Sequence, residues 1–177
     1  ADQVHVSERG TSLHAHWQGK TIPLHIPLIG PHHAYTALAA AAVGLAHDLP
    51  WEEIARGLES ISPLPGRTRL LAGIHGSYLL DDSYNANPTS ALAALETLRS
   101  LPARRRLVLL GDMAQLGDYA EEGHRLVGQR CGEVADLLIA KGDLARLAAE
   151  QALRVGMSPE QVHVVYTAED TVRILQE

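Results

Sequence analysis

The sequence is poor in cysteine and in aromatic residues. Its 177 residues include a single cysteine, Cys131, no phenylalanine, and only 4% aromatic side chains. One cysteine cannot form an internal disulfide, which argues against a disulfide-stabilised secreted domain and favours a reducing, cytoplasmic compartment. No apolar run approaches the roughly 20 residues that a membrane-spanning helix needs, so membrane insertion is not expected.

Charge does not indicate a polyanionic partner either. The chain has 15 Lys and Arg residues against 21 Asp and Glu residues, a net charge of −6. This balance gives no general attraction to nucleic acid or to an anionic membrane. The N-terminal sequence ADQVH lacks a starting Met and the basic and apolar regions of a signal peptide, which is typical of a fragment. The sequence does not indicate an oligomeric state.

The first third of the chain predicts β segments followed by helices. Residues 1–29 contain short alternating stretches separated by turn signals, and the last stretch, 22–28, carries two prolines that favour an edge strand or an extended segment. Residues 35–46 are rich in Ala and Leu and predict a helix, and a second helix is expected over 51–60. The linker-like segment SPLPG that follows predicts a boundary between domains 1–62 and 63–177.

Beyond the linker, strands alternate with helices. The predicted strands are 69–74, 77–80, 107–110, 137–140 and 162–166, and the predicted helices begin at Pro88 and near residues 121, 143 and 168. The unbroken apolar run at 107–110 predicts a strand buried on both faces. The pattern predicts an α/β fold with a Rossmann-like, mostly parallel sheet and helices on both faces, preceded by the β and helical segments of another domain.

Two segments follow strands, where ligands bind in open parallel sheets. The first, Asp81–Pro88, reads DDSYNANP and includes Asp82, Ser83, Tyr84, Asn85 and Asn87. Its carboxylates, hydroxyl, phenol and amides stand before a helix whose free N–H groups suit a phosphate. The same residue types also cap helices and fill turns, so function and capping remain open alternatives.

The second segment, 110–117, places Asp112 at a strand end between two glycines. Taken alone it is typical of an ordinary strand-to-helix loop. Arg67 follows the linker and is able to grip phosphates with its forked guanidinium, although an isolated loop arginine is usually only solvated.

Two apparent motifs do not hold. Gly19-Lys20-Thr21 resembles the end of a phosphate-binding P-loop, but His14 occupies the position where that motif needs glycine, and no other stretch fits the spacing. The ten histidines include His14 and His16 on one predicted strand, yet no carboxylate or cysteine cluster accompanies them, so no metal site is predicted.

DDSYNANP, with LGDMAQLG at 110–117, EGH at 122–124, PGR at 65–67 and GPH at 30–32, resembles the Mur ligase family in the family's order along nearly the whole chain. DDSYNANP is typical of the members that add D-alanyl-D-alanine to UDP-N-acetylmuramoyl-tripeptide. The resemblance assigns 1–62 to the end of the central ATP-binding domain and 63–177 to the C-terminal domain, truncated at its end.

The resemblance also implies a reaction and a site. ATP with Mg²⁺ would phosphorylate the carboxylate of UDP-muramoyl-tripeptide, and the amine of D-Ala-D-Ala would attack the acyl phosphate to form an amide. Arg67, Asp82 and His32 would contact ATP. Ser83, Tyr84, Asn85, Asn87 and Asp112 would shape the loops or meet substrate. Since the sequence has no P-loop, the isolated chain is expected to be inactive.

The sequence departs from the family pattern at two positions. His33 and Thr36 stand where the family carries asparagines that help hold the nucleotide. A non-catalytic α/β binding module derived from the same fold is therefore the alternative function. Polyglutamate or cyanophycin synthetase relatives are a nearer alternative, against which DDSYNANP counts.

Overall fold

The computed structural model describes residues 1–176, and their packing forms two compact units. The first unit comprises Ala1–Tyr84 and Glu96–Leu101, and the second comprises Asn85–Leu95 and the chain from Pro102 onward. The domain boundary expected between residues 62 and 63 stays a prediction.

The first unit is an antiparallel three-stranded sheet covered by helices, together with a β-hairpin. Its elements are β1 (Asp2–Ser7), β2 (Gly10–Trp17), β3 (Lys20–Ile26), α1 (His33–Ala46), α2 (Trp51–Glu59), β4 (Arg69–Ala72) and β5 (Tyr78–Asp81). The strands run β1-β2-β3 in one sheet, and β4 pairs antiparallel with β5 in another. Alternate residues of β2 and β3, such as Leu13 and Ile26, are buried in one core with Ala37 of α1 and Leu58 of α2.

Pro23 confirms the edge-strand prediction. It lies in β3, opposite His14, and within residues 1–176 β3 pairs with β2 alone. An edge strand tolerates a residue without an N–H because its outer side makes no ladder hydrogen bonds. The turn between β2 and β3 contains Gln18 (φ 47°) and Gly19 (φ 76°), so the Gly19-Lys20 pair belongs to a hairpin and not to a phosphate-binding loop.

The second unit is a parallel sheet with helices on both faces. Its elements are the first part of α3 (Pro88–Ser100), then β6 (Leu107–Gly111), α4 (Ala120–Val134), β7 (Leu137–Lys141), α5 (Ala145–Arg154), β8 (Val162–Val165) and α6 (Ala168–Gln176). The strand order is β6-β7-β8, with both pairs parallel. Leu138 is buried with Val127 of α4 and Ala148 of α5, whereas Ile139 faces Ile174 of α6. These findings confirm the predicted α/β fold.

The prediction that residues 107–110 are buried on both faces is wrong. Leu107 and Leu109 are 38% and 56% exposed, so one face of β6, an edge strand of its sheet, is left largely uncovered by the rest of residues 1–176. The central strand β7 instead has buried residues on both faces from Leu137 to Ala140. Within residues 1–176, no helix has the length and apolar character needed to cross a membrane.

We expect Leu138→Ala to lower the free energy of unfolding of the second unit by about 2–5 kcal/mol, because its fully buried side chain would leave a cavity. Leu109→Ala on the neighbouring strand is the matched control and should change it by less than about 0.5 kcal/mol. Urea titrations followed by far-UV circular dichroism would measure both. Equal losses in the two variants would contradict this packing.

Candidate functional site

The β4–β5 hairpin brings the two ends of the candidate site together. Arg69 pairs with Asp81 in the antiparallel register, so the residues just before β4 lie beside those just after β5. This hairpin places Arg67 next to the start of the DDSYNANP segment.

The carboxylates of Asp81 and Asp82 bind the backbone of the Gly66–Thr68 segment. Asp81 accepts hydrogen bonds from Gly66 N at 3.1 Å and from the Ser83 hydroxyl at 2.6 Å. The hydroxyl and then the backbone N–H of Ser83 lower the pKa of Asp81, and the Gly66 N–H and the Arg69 charge act in the same direction. Asp82 Oδ1 accepts from Thr68 N at 2.9 Å and from Thr68 Oγ1 at 3.1 Å. These two carboxylates thus anchor the loop that carries Arg67.

Arg67 is exposed, and its guanidinium carbon lies 4.3 Å from the centre of the Tyr84 ring. Tyr84 N also donates a hydrogen bond to Gly66 O at 3.2 Å. Gly66 has φ +69°, and a Cβ added there would lie 2.8 Å from Tyr84 N. Only glycine fits this close approach without strain, which explains why PGR stands at this turn.

His32 and His33 lie at the start of α1 in the same unit. Burial lowers the pKa of His32, and the charge of Asp82 opposes this shift. Burial, followed by the neighbouring His32 ring, lowers the pKa of His33 to about 4, again against the effect of Asp82. The ring centres are 4.1 Å apart, and neither His33 nitrogen has a hydrogen-bond partner within residues 1–176. The charge of Asp82 therefore acts on His32. The His33 imidazole is neutral at pH 7.

Asn85, Asn87 and Asp112 belong to the second unit and are described within it. Asn87 Oδ1 accepts a hydrogen bond from Ser90 N at 2.9 Å, and Ser90 Oγ accepts one from Asn87 N at 3.0 Å. This reciprocal pair caps α3, as the capping alternative predicted for Asn87. Asn85 is exposed, and its side chain makes no hydrogen bond within residues 1–176.

Asp112 is bound by the start of the next helix in the chain. Its Oδ1 accepts a hydrogen bond from Ala145 N, the first residue of α5, at 2.7 Å. Gly142 approaches so closely that a Cβ there would lie 2.4 Å from the same oxygen. A carboxylate at the positive end of a helix is stabilising, which gives Asp112 a structural contact in addition to its predicted place at the ligand edge.

Two residues that hold the loops of the candidate site in place, Thr68 and His124, were not predicted as functional from the sequence. Thr68 is buried, and its contribution depends on the hairpin register, so no sequence pattern marks it. His124 is fully buried; its Nε2 accepts from Met113 N at 2.9 Å, and its Nδ1 lies 2.6 Å from Ala120 O. It thereby ties the loop after β6 to α4. Its only sequence signal is its place in the EGH motif.

Residues 66–177 match the family model described as "Mur ligase, glutamate ligase domain". UDP-N-acetylmuramoyl-tripeptide–D-alanyl-D-alanine ligase of Escherichia coli K12 is 37% identical over 129 residues, which cover 73% of this chain and 28% of that protein. The ligase of the same name from Bacillus subtilis 168 is 34% identical over 157 residues, which cover 85% of this chain and 33% of that protein.

A crystal structure of MurF from Acinetobacter baumannii superimposes with a TM-score of 0.86 at 26% identity. The superposition covers 98% of this chain and 37% of that chain. The chain therefore spans about a third of the length of the relatives it matches.

Acid should destabilise the first unit through His33. The folded pKa of His33, about 4, lies below the ordinary histidine value of 6.5, so the unfolded chain binds more protons between these values. The stability present above pH 6.5 is therefore lost progressively as the pH falls toward 4. We expect His33→Asn to lose less stability than wild type between pH 7 and pH 5.

Urea titrations at pH 7 and pH 5 would measure this difference. Tryptophan fluorescence isolates the first unit, because both tryptophans, Trp17 and Trp51, lie in it. His5→Asn, an exposed position on β1, is the matched control. If His33→Asn loses as much stability as wild type, the assignment of the acid response to His33 is wrong.

Removing the Asp112 carboxylate should weaken the start of α5. Asp112→Ala should cost about 0.5–2 kcal/mol of unfolding free energy, the usual cost of a lost helix cap. Asp112→Asn keeps an acceptor oxygen and should cost less. Urea unfolding followed by circular dichroism would rank them, and no loss in Asp112→Ala would leave the carboxylate without a structural role.

Proposed function

Since this chain belongs to the Mur ligase family, we propose that it is part of an ATP-dependent ligase that adds D-alanyl-D-alanine to UDP-N-acetylmuramoyl-tripeptide. The names of the Escherichia coli and Bacillus subtilis relatives support this choice within the family. The activity is proposed for an intact ligase that contains this chain.

One observation carries the proposal. Arg67 is exposed beside the DDSYNANP segment, and within residues 1–176 no carboxylate lies within ion-pair distance of its guanidinium. The nearby Asp82 uses Oδ1 to anchor Thr68 instead. An arginine held in place without a carboxylate partner retains its charge for an anionic ligand, and its fork fits phosphate oxygens.

The proposed reaction forms an amide in two steps. The terminal carboxylate of the tripeptide attacks the γ-phosphorus of ATP, the bond to ADP breaks, and an acyl phosphate forms. The amine of D-Ala-D-Ala then attacks the acyl carbon, a proton leaves the nitrogen, and phosphate departs. We assign to Arg67 the binding of ATP phosphates and the stabilisation of negative charge during transfer. Asp82 holds the Arg67 loop, and His32 lies within reach of its charge.

Within residues 1–176, no three His, Cys, Asp or Glu side chains are arranged to hold a metal ion. Mg²⁺ commonly binds through substrate phosphates and only one or two carboxylates, so ATP phosphates would supply part of its coordination in this ligase.

We expect Arg67→Ala in the intact ligase to lower kcat/KM for ATP roughly 100-fold, in the range seen when one charge-stabilising donor is removed. ATP-dependent formation of UDP-muramoyl-pentapeptide would be measured. Arg9→Ala, an exposed arginine in the β1–β2 turn, is the control and should behave as wild type. The 177-residue chain alone should show no turnover, because its sequence contains no P-loop.

Two results would contradict the proposal in different ways. An Arg67→Ala enzyme as active as wild type would remove Arg67 from the site. An intact protein that is inert with every Mur substrate would favour the non-catalytic binding module, and His33 and Thr36 would then be the first positions to revert to asparagine.

A further inference from the structure

We propose that Tyr84 is a positioning residue for Arg67: its ring holds the guanidinium in place while leaving the arginine N–H groups free for phosphate. The inference rests on the proposed function for the identity of the ligand. The contact between the two side chains is observed independently of that function.

The geometry is that of a cation stacked on an aromatic ring. The Arg67 guanidinium carbon is 4.3 Å from the Tyr84 ring centre, well inside the roughly 6 Å limit of this interaction. Both side chains are exposed, and Tyr84 is 72% accessible. A large aromatic side chain left this open at a strand end is not explained by core packing.

The choice of an aromatic ring has a chemical consequence. A carboxylate would also hold Arg67, but it would occupy two N–H donors and neutralise the charge that a phosphate needs. The ring acts through its negative face and accepts no conventional hydrogen bond from the edge of the fork. The guanidinium is thereby restrained at little cost to its donor capacity.

The backbone keeps the two side chains in register. Tyr84 N donates to Gly66 O, immediately before Arg67, and Thr68, immediately after it, is bound twice by Asp82. Both partners of the stack therefore sit on segments already joined by hydrogen bonds. The backbone hydrogen bonds restrain the main chain around Arg67, and the Tyr84 ring restrains its side chain.

Nuclear magnetic resonance of the chain would test the stack directly. With ¹³C- and ¹⁵N-labelled arginine, the Arg67 side-chain signals should show an upfield ring-current shift in wild type and in Tyr84→Phe, which keeps the ring. The shift should disappear in Tyr84→Leu. Tyr78→Leu, another exposed tyrosine in the same hairpin, is the matched control and should leave the Arg67 signals unchanged.

Kinetics of the intact ligase would test the consequence. We expect Tyr84→Leu to lower kcat/KM for ATP about two- to fivefold, the value of an exposed cation–π contact, and Tyr84→Phe to restore it. KM for D-Ala-D-Ala should stay unchanged. In an Arg67→Ala background, Tyr84→Leu should have no further effect, because the two residues act as one unit.

The outcomes separate this inference from the proposed function. An unchanged Arg67 spectrum in Tyr84→Leu, or an equal loss of kcat/KM in both Arg67 backgrounds, would overturn the positioning role. If Arg67→Ala itself leaves kcat/KM for ATP unchanged while the stack is seen by resonance, the proposed use of Arg67 fails and the contact between Tyr84 and Arg67 stands.

Discussion

The candidate site depends on two carboxylates that bind backbone N–H groups across a hairpin. Asp81 ends β5 and Asp82 follows it, and their carboxylates accept hydrogen bonds from the N–H groups of Gly66 and Thr68 just before β4. Hydrogen bonds to charged acceptors are stronger than those between neutral groups. Because the two bonds hold the backbone on both sides of one residue, they fix the backbone position of that residue. That residue is Arg67, so its position is determined by hydrogen bonds that its two neighbours make.

The same hydrogen bonds also occupy acceptor positions of the two carboxylates. The chain as a whole carries a net charge of −6, and DDSYNANP contributes two of its negative charges. Because Asp81 and part of Asp82 are already satisfied by the backbone, they offer few free acceptors to a ligand. The exposed cation beside them does not pair with either carboxylate. An acidic motif can thus lie beside an exposed arginine that forms no ion pair with it, which is compatible with the proposed binding of phosphate by Arg67.

Sequence patterns predicted elements more reliably than contacts. Pro23 of the third strand, the Asn87-Pro88 helix start and the alternation after residue 66 each reflect a local backbone constraint, and the structure agrees with all three. The prediction that residues 107–110 are buried on both faces is wrong because an edge strand and a central strand can carry the same run of apolar residues. The hydrogen bond between Asp82 and Thr68 could not be predicted from the sequence, because it depends on the register of the hairpin and not on the identity of either residue.

The loop after β6 is held from two directions. Asp112 is fixed to the start of α5, and the next residue, Met113, donates its N–H to the buried ring of His124 on α4. A segment at the carboxyl edge of a parallel sheet would ordinarily lose conformational entropy when a ligand orders it. Here much of that loss has already occurred during folding. A ligand that binds this loop would therefore meet a surface whose shape is set in advance, and its affinity would reflect direct contacts more than the ordering of the chain.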